Sequence, residues 1–232
     1  MILPALINYS QFLCIGAGNV SSLPSRQAGA TGVRDRRCFQ FVTAGGEESE
    51  VPALSQLHQA VVERLKNAYA AYYDIEAVDD GTALKAICAY HLRDSQYVLV
   101  KKAELWAAES HEYLYLFDLD RLDPSAVEQI YQRVLEDGEP RVKPHAQHMY
   151  TYLTAVVLYD SADPQALAQL KKLKKRREFK LSLHGWMEFR IAAVDLSTVE
   201  VTTNRSGKLI AKDLKRLMDR IISKEIGEEK HQ

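Results

Sequence analysis

The 232-residue sequence contains only three cysteines, Cys14, Cys38 and Cys88. An odd count without metal-type spacing argues against a disulfide framework and a cysteine zinc site. Cys88 falls in a strand-like run and reads as a small buried hydrophobe. No stretch approaches the ~20 apolar residues that a membrane helix requires, so no membrane partner is expected. The opening MILPALINYSQFLCIGAG has no basic n-region, and Asn8, Ser10 and Gln11 interrupt it. It is a poor signal peptide, which points to the cytoplasm. A net charge of −1 provides no field to steer the whole molecule onto nucleic acid or lipid. Any polyanionic partner must use a local patch. There is no GxGxxG, Walker loop, GxSxG or plausible Cys–His pair, so no motif dictates a chemistry and no cofactor is expected.

What is present is an ordinary globular composition, 47% apolar and 26% charged, in a chain long enough to bury a core. Residues 1–50 differ from the rest. They carry four basic residues (Arg26, Arg34, Arg36, Arg37), four acidic ones (Asp35, Glu47, Glu48, Glu50) and six of the eleven glycines. They show neither a helical period nor alternation. Two readings stay open for them. One is a disordered tail. The other is a translated leader: Ala44-Gly45-Gly46-Glu47 suits a purine-rich ribosome-binding tract, with Val51 at the native start. Either way, residues 51–226 are expected to form a single α+β domain, with a frayed tail at 227–232.

From Val51 the pattern predicts the order α-βββ-α-β-α-βββ-α, with a mostly antiparallel mixed sheet and flanking helices. Leu54, Leu57, Val61, Leu65, Ala68 and Tyr72 form the stripe of a helix over 53–73. Strand-like runs follow at 82–92, 96–107 and 111–118, with polar breaks at Arg93–Ser95 and Glu109–Ser110. Asp123-Pro124 and Asp163-Pro164 are each an N-cap followed by a first-turn proline, and open the second and third helices. Gly138 suits a C-terminal cap. A strand over 148–159 lies between those helices. Strands near 178–183, 186–196 and 198–203 follow, then a turn at Asn204–Gly207. The last helix, 208–223, has a stripe of Leu209, Leu214, Leu217, Ile221 and Ile222.

Two constellations stand out. Trp186, Glu188 and Arg190 alternate with core-like Met187, Phe189 and Ile191, so they share the opposite strand face. The His184-Gly185 turn and the strand carrying His148, Tyr150 and Tyr152 are expected nearby. Together, His148, Tyr150, Tyr152, His184, Trp186, Glu188 and Arg190 form a candidate ligand site with apolar walls and few polar groups. The competing reading is a cross-strand ion pair on a solvated face. The second constellation is the basic run Lys171, Lys172, Lys174, Lys175, Arg176 and Arg177 at the end of the third helix. It suits an anionic ligand or nucleic acid, or else a solvated helix end where the macrodipole favours cations. The histidines have no accompanying CxxC or HExxH, so no metal site is expected.

The segments HMYTYLT (148–154), LHGWMEFRIAAVDL (183–196) and VTTNRSGK (201–208), with the lysine-rich helix end, resemble an uncharacterised family from Gram-positive bacteria. It is a domain-of-unknown-function family, and the resemblance spans about 54–210. It implies a cytoplasmic bacterial setting and brings no catalytic residues. The leading expectation is therefore a soluble, non-enzymatic binding or regulatory module with a ligand-facing hairpin surface. The alternative is a restriction-endonuclease-like protein with a degenerate site, because α-βββ-α-β matches that core order. Such proteins need a Glu-x-Lys on the third strand. Here that strand carries Glu112-Tyr113-Leu114, and Lys101 or Lys102 must substitute.

Overall fold

The computed structural model describes residues 53–98 and 103–228. The expectations for residues 1–50 and 229–232, and for Lys101 and Lys102, lie outside them. The elements are α1 (Ala53–Tyr69), β1 (Asp74–Ala77), β2 (Leu84–Val98), β3 (Ala103–Leu122), α2 (Pro124–Arg141) and β4 (His148–Ala162). They continue with α3 (Pro164–Lys172), β5 (Arg176–Glu178), β6 (Trp186–Asp195), β7 (Val201–Thr203) and α4 (Lys208–Glu228). The order is α-βββ-α-β-α-βββ-α, and the class is α+β with a mostly antiparallel mixed sheet.

The sheet runs β1-β2-β3-β4-β6-β5, with β7 also on β6. β1, β2 and β3 form an antiparallel meander. β3, β4 and β6 are mutually parallel, because α2 and then α3 carry the chain back between them. β5 and β7 pair antiparallel with β6 at its two ends, on the edge away from β4.

Strand alternation divides the core into two layers. One face carries Tyr115, Phe117, Leu153, Ala155, Val157, Phe189 and Ile191, packed on Val127, Ile130 and Val134 of α2 and Leu170 of α3. The other carries Cys88, Leu114, Leu116, Val156, Leu158 and Val194. These are buried with Val61 and Leu65 of α1 and Leu214 and Met218 of α4. Both faces are covered, so the central strands read as continuous apolar runs. Burial pushes the Cys88 thiol up to about 12, leaving it unreactive.

Both aspartate caps form. Asp123 accepts from the Ala126 N–H at 2.7 Å and Asp163 from the Gln165 N–H at 2.8 Å. Several boundaries differ from expectation for identifiable reasons. The polar breaks at Arg93–Ser95 and Glu109–Ser110 lie inside β2 and β3, whose ladder continues through them. The four-residue edge strand β1, exposed over most of its length, has no apolar signal. α2 runs through Gly138 to Arg141. Gly138 is no cap: a Cβ there would lie 2.8 Å from the Leu153 side chain, so its absence lets α2 lie close on β4. α3 ends at Lys172. The strand expected at 178–183 is mostly a turn, with Lys180, Leu181 and Ser182 all at positive φ. On α1, Tyr69 is buried, while Tyr72 lies past the helix and is exposed. On α4, Ile210 and Met218 face inward and Leu209 faces solvent.

Candidate functional site

Parallel pairing of β4 and β6 sets Tyr150 beside Trp186, Tyr152 beside Glu188 and Thr154 beside Arg190. Their neighbours Leu153, Met187, Phe189 and Ile191 take the core face shared with α2 and α3. Alternation then forces these six onto the opposite face. Trp186 stacks on Tyr150, with ring centroids 5.5 Å apart at 27°, and meets Tyr152 edge-on at 5.3 Å. The Arg190 guanidinium lies 3.0 Å above the Tyr152 ring centroid. Arg176 of β5 covers the Trp186 ring at 4.1 Å.

The carboxylates on this face are engaged. Ser206 Oγ donates to Glu188 Oε1 at 2.6 Å, and Arg176 Nη1 lies 3.8 Å from Oε2. Glu112 of β3, only 3% exposed, accepts from the Tyr73 hydroxyl at 2.9 Å and the Thr154 hydroxyl at 2.7 Å. Arg190 is the exception. It is 6% exposed, and its Nε–H is buried without an acceptor. Among the described residues it has no ion-pair partner. Burial raises the Tyr152 phenol above its ordinary range, so it stays neutral beneath the guanidinium.

His148 and His184 are placed elsewhere. The β3–β4 register shifts between Glu109 and Ser110, which turns His148 to the α2 face. There its ring stacks on His111 at 5.9 Å and meets Phe179 edge-on at 6.0 Å. Its Nδ1–H donates to the His184 carbonyl and its Nε2 accepts from the Thr151 hydroxyl, each at 2.8 Å. A carbonyl can only accept, so Nδ1 carries a proton. Burial and the neighbouring His145 lower its pKa, although the bond to His184 works the other way. Burial, His91 and His148 lower that of His111. His91, His145 and Glu109 complete this row: His91 Nδ1 lies 2.8 Å from His111 Nδ1, and His145 Nε2 lies 3.1 Å from Glu109. Among the described residues, no group of three or more His, Cys, Asp or Glu side chains is placed to hold a metal ion. Gly185, at φ +73°, passes under this corner. A Cβ there would lie 2.4 Å from the Met149 carbonyl oxygen.

Residues 58–216 match the family model of a domain of unknown function, DUF8052. The chain belongs to this family. No curated protein and no solved structure matches it. The DUF8052 span begins on α1 and ends on α4, so it takes in the whole sheet and every residue of the candidate face.

Within the DUF8052 span the basic run is divided. Lys171 and Lys172 end α3, Lys174 and Lys175 connect, and Arg176 and Arg177 form β5. Extended backbone alternates them between faces. Lys175 and Arg177 reach Glu139 on α2 at 3.1 and 3.6 Å, while Arg176 turns to Trp186 and Glu188. Lys171, Lys172 and Lys174 have no ion pair among the described residues.

Two polar centres of the DUF8052 domain carry no sequence signal. His58 is 5% exposed on α1; its Nδ1 contacts Asp118 of β3 and its Nε2 lies 2.9 Å from Asp160 of β4. Both partners are carboxylates, an arrangement that favours the doubly protonated imidazole. Burial opposes that charge, and the hydrogen bonds to Asp160 and Asp118 outweigh it, raising the pKa. Asn204, fully buried, accepts from the Gly207 N–H at 2.8 Å and the Ile191 N–H at 3.3 Å. It donates to the carbonyls of Leu173 at 3.0 Å and Phe189 at 3.4 Å. This clamp sits two residues before Ser206 and so positions the group that holds Glu188. Asparagine and glycine in a turn signal a bend, not a buried clamp. Among the described residues, no helix is long and apolar enough to cross a membrane.

Proposed function

We propose that the chain is a non-enzymatic binding or regulatory module whose ligand site is the face formed by Tyr150, Tyr152, Trp186, Glu188 and Arg190. One observation carries the reading: Arg190 is a buried cation with an unpaired Nε–H. Such a group lowers stability by several kcal/mol unless a partner compensates it. Stacking on Tyr152 offsets part of that, about 2 kcal/mol or somewhat more for a desolvated pair. A site completed by a ligand accounts for the remainder. Binding is favoured over catalysis because both carboxylates are tied up. Glu188 is engaged by Ser206 and Arg176, and Glu112 by Tyr73 and Thr154, so neither is free as a base. The nuclease alternative has no such support. Glu112 is sealed by two hydroxyls, and its strand has no lysine two residues on. The Gram-positive, cytoplasmic setting belongs to the same proposal and rests on the resemblance of the motifs at 148–154, 183–196 and 201–208.

The test is a thermal-shift panel of small monocarboxylates, phosphorylated compounds, amines and neutral aromatics against the wild type and the Arg190→Met and Trp186→Ala variants. At least one class should raise the wild-type Tm and leave both variants unmoved. A panel with no shift, or with equal shifts in all three proteins, would overturn the proposal.

A further inference from the structure

We infer that this face takes a monocarboxylate carried on a flat, apolar body; the inference rests on the ligand-site reading above and names its chemistry. Arg190 sets the charge of the ligand. A guanidinium is planar, permanently charged, and presents N–H pairs spaced to match a carboxylate. One member of such a pair, the Nε–H, is buried with no acceptor. A carboxylate accepting from Nε–H and the adjacent Nη–H satisfies both donors and neutralises the cation at once. The carboxylates already on this face do not do so, because Glu112 is held by Tyr73 and Thr154, and Glu188 by Ser206 and Arg176.

Those two carboxylates also select against a higher charge. Glu112 and Glu188 both lie opposite Tyr152, on the strands either side of β4. Glu188 is paired with Arg176 and Glu112 adds a second fixed negative charge, so among the described residues Arg190 is the one cation on this face without a partner. A monoanion meets the one unpaired cation. A phosphate dianion brings a second negative charge beside two fixed ones, with no free cation on this face to meet it. Amines are disfavoured as well: the Tyr152 and Trp186 rings, which would otherwise stack on a cation, are already covered by Arg190 and Arg176. The body follows from the walls. Tyr150, Tyr152 and Trp186 touch one another through ring centroids 4.9 to 5.5 Å apart, and Arg190 and Arg176 each cover a ring face of Tyr152 and Trp186, so the cluster offers its remaining ring edges to a flat apolar group.

The experiment is calorimetric titration of the full chain with one body and three head groups, phenylacetate, phenylacetamide and phenyl phosphate. Indole-3-acetate serves as a second body. At least one of the two carboxylates should bind, and the amide and phosphate should bind at least about tenfold more weakly. Arg190→Lys keeps the charge and loses the paired donors, so carboxylate affinity should fall at least about tenfold. Arg190→Met should retain the fold and abolish binding. If phenyl phosphate binds through Arg190 while the carboxylates do not, the monocarboxylate inference is wrong and the ligand-site reading survives. If neither the carboxylates nor the phosphate bind, or if carboxylate binding persists in both Arg190 variants, the inference falls. In the second case the site reading falls with it.

Discussion

Replacing Arg190 by methionine should make the protein more stable. The guanidinium is buried, its Nε–H is unpaired, and among the described residues no carboxylate pairs with it. Desolvating such an ion costs several kcal/mol even after relaxation. The stack on Tyr152 returns about 2 kcal/mol or somewhat more, leaving a deficit of roughly 1–3 kcal/mol. Methionine keeps an unbranched apolar stem and removes the charge, so the deficit should appear as a gain. In urea unfolding the midpoint should rise with an unchanged m-value. For a domain of this size, 2 kcal/mol corresponds to roughly 4–8 °C in Tm. A double-mutant cycle sharpens the test. Tyr152→Leu should be more damaging in the wild type than in Arg190→Met, because only the wild type has a cation to stack. If Arg190→Met instead loses 1 kcal/mol or more at constant m, the guanidinium is a structural element. In that case Arg190 does not await a ligand.

Four further outcomes follow from the same contacts. His58 has a raised pKa, so its contribution is fully present below the ordinary histidine value of 6.5 and is lost as pH rises through the folded value. Denaturant unfolding between about pH 6 and pH 9 should show that loss in the wild type, and His58→Gln should remove this component of the slope. Asn204→Ala strands the Ile191 and Gly207 N–H groups and two carbonyls, so unfolding experiments should show a loss of about 3–5 kcal/mol. Gly185→Ala combines a positive φ with overlap of the Met149 and His148 carbonyl oxygens. It should cost roughly 2–4 kcal/mol by the same assay. Neutralising Lys171, Lys172 and Lys174 to glutamine should change stability by no more than about 0.5 kcal/mol. If this patch binds polyanions, the change should remove a salt-dependent affinity measured by filter binding or fluorescence anisotropy.

Much of this architecture is legible without coordinates. Two periods, near 3.6 and 2, mark the helices and strands, and the Asp-Pro pairs at 123–124 and 163–164 mark two helix starts, because each cap is completed within four residues. Alternation along β6 places Trp186, Glu188 and Arg190 on one face for the same reason: the period of a strand is a local property. What local pattern cannot supply is the partner across the sheet. The register shift at Glu109–Ser110 turns His148 away from Tyr150 and Tyr152, and a bulge leaves no mark in composition. Gly138 looks like a helix-ending residue, yet α2 continues through it, and its missing side chain instead serves the close approach to β4. His58 sits on the buried side of α1 only because Asp118 and Asp160, 60 and 102 residues away, converge on it. Asn204 reads as a turn residue until the carbonyls of Leu173 and Phe189 arrive at its amide. That Arg190 is a buried cation, and not half of a surface ion pair, depends on Glu188 turning to Ser206 and Arg176. The sequence alone determined which groups share a face within an unbroken stretch of strand. The tertiary structure decided which of them are paired and which one is left without a partner, because hydrogen-bond partners and burial come from segments that meet only when the sheet closes.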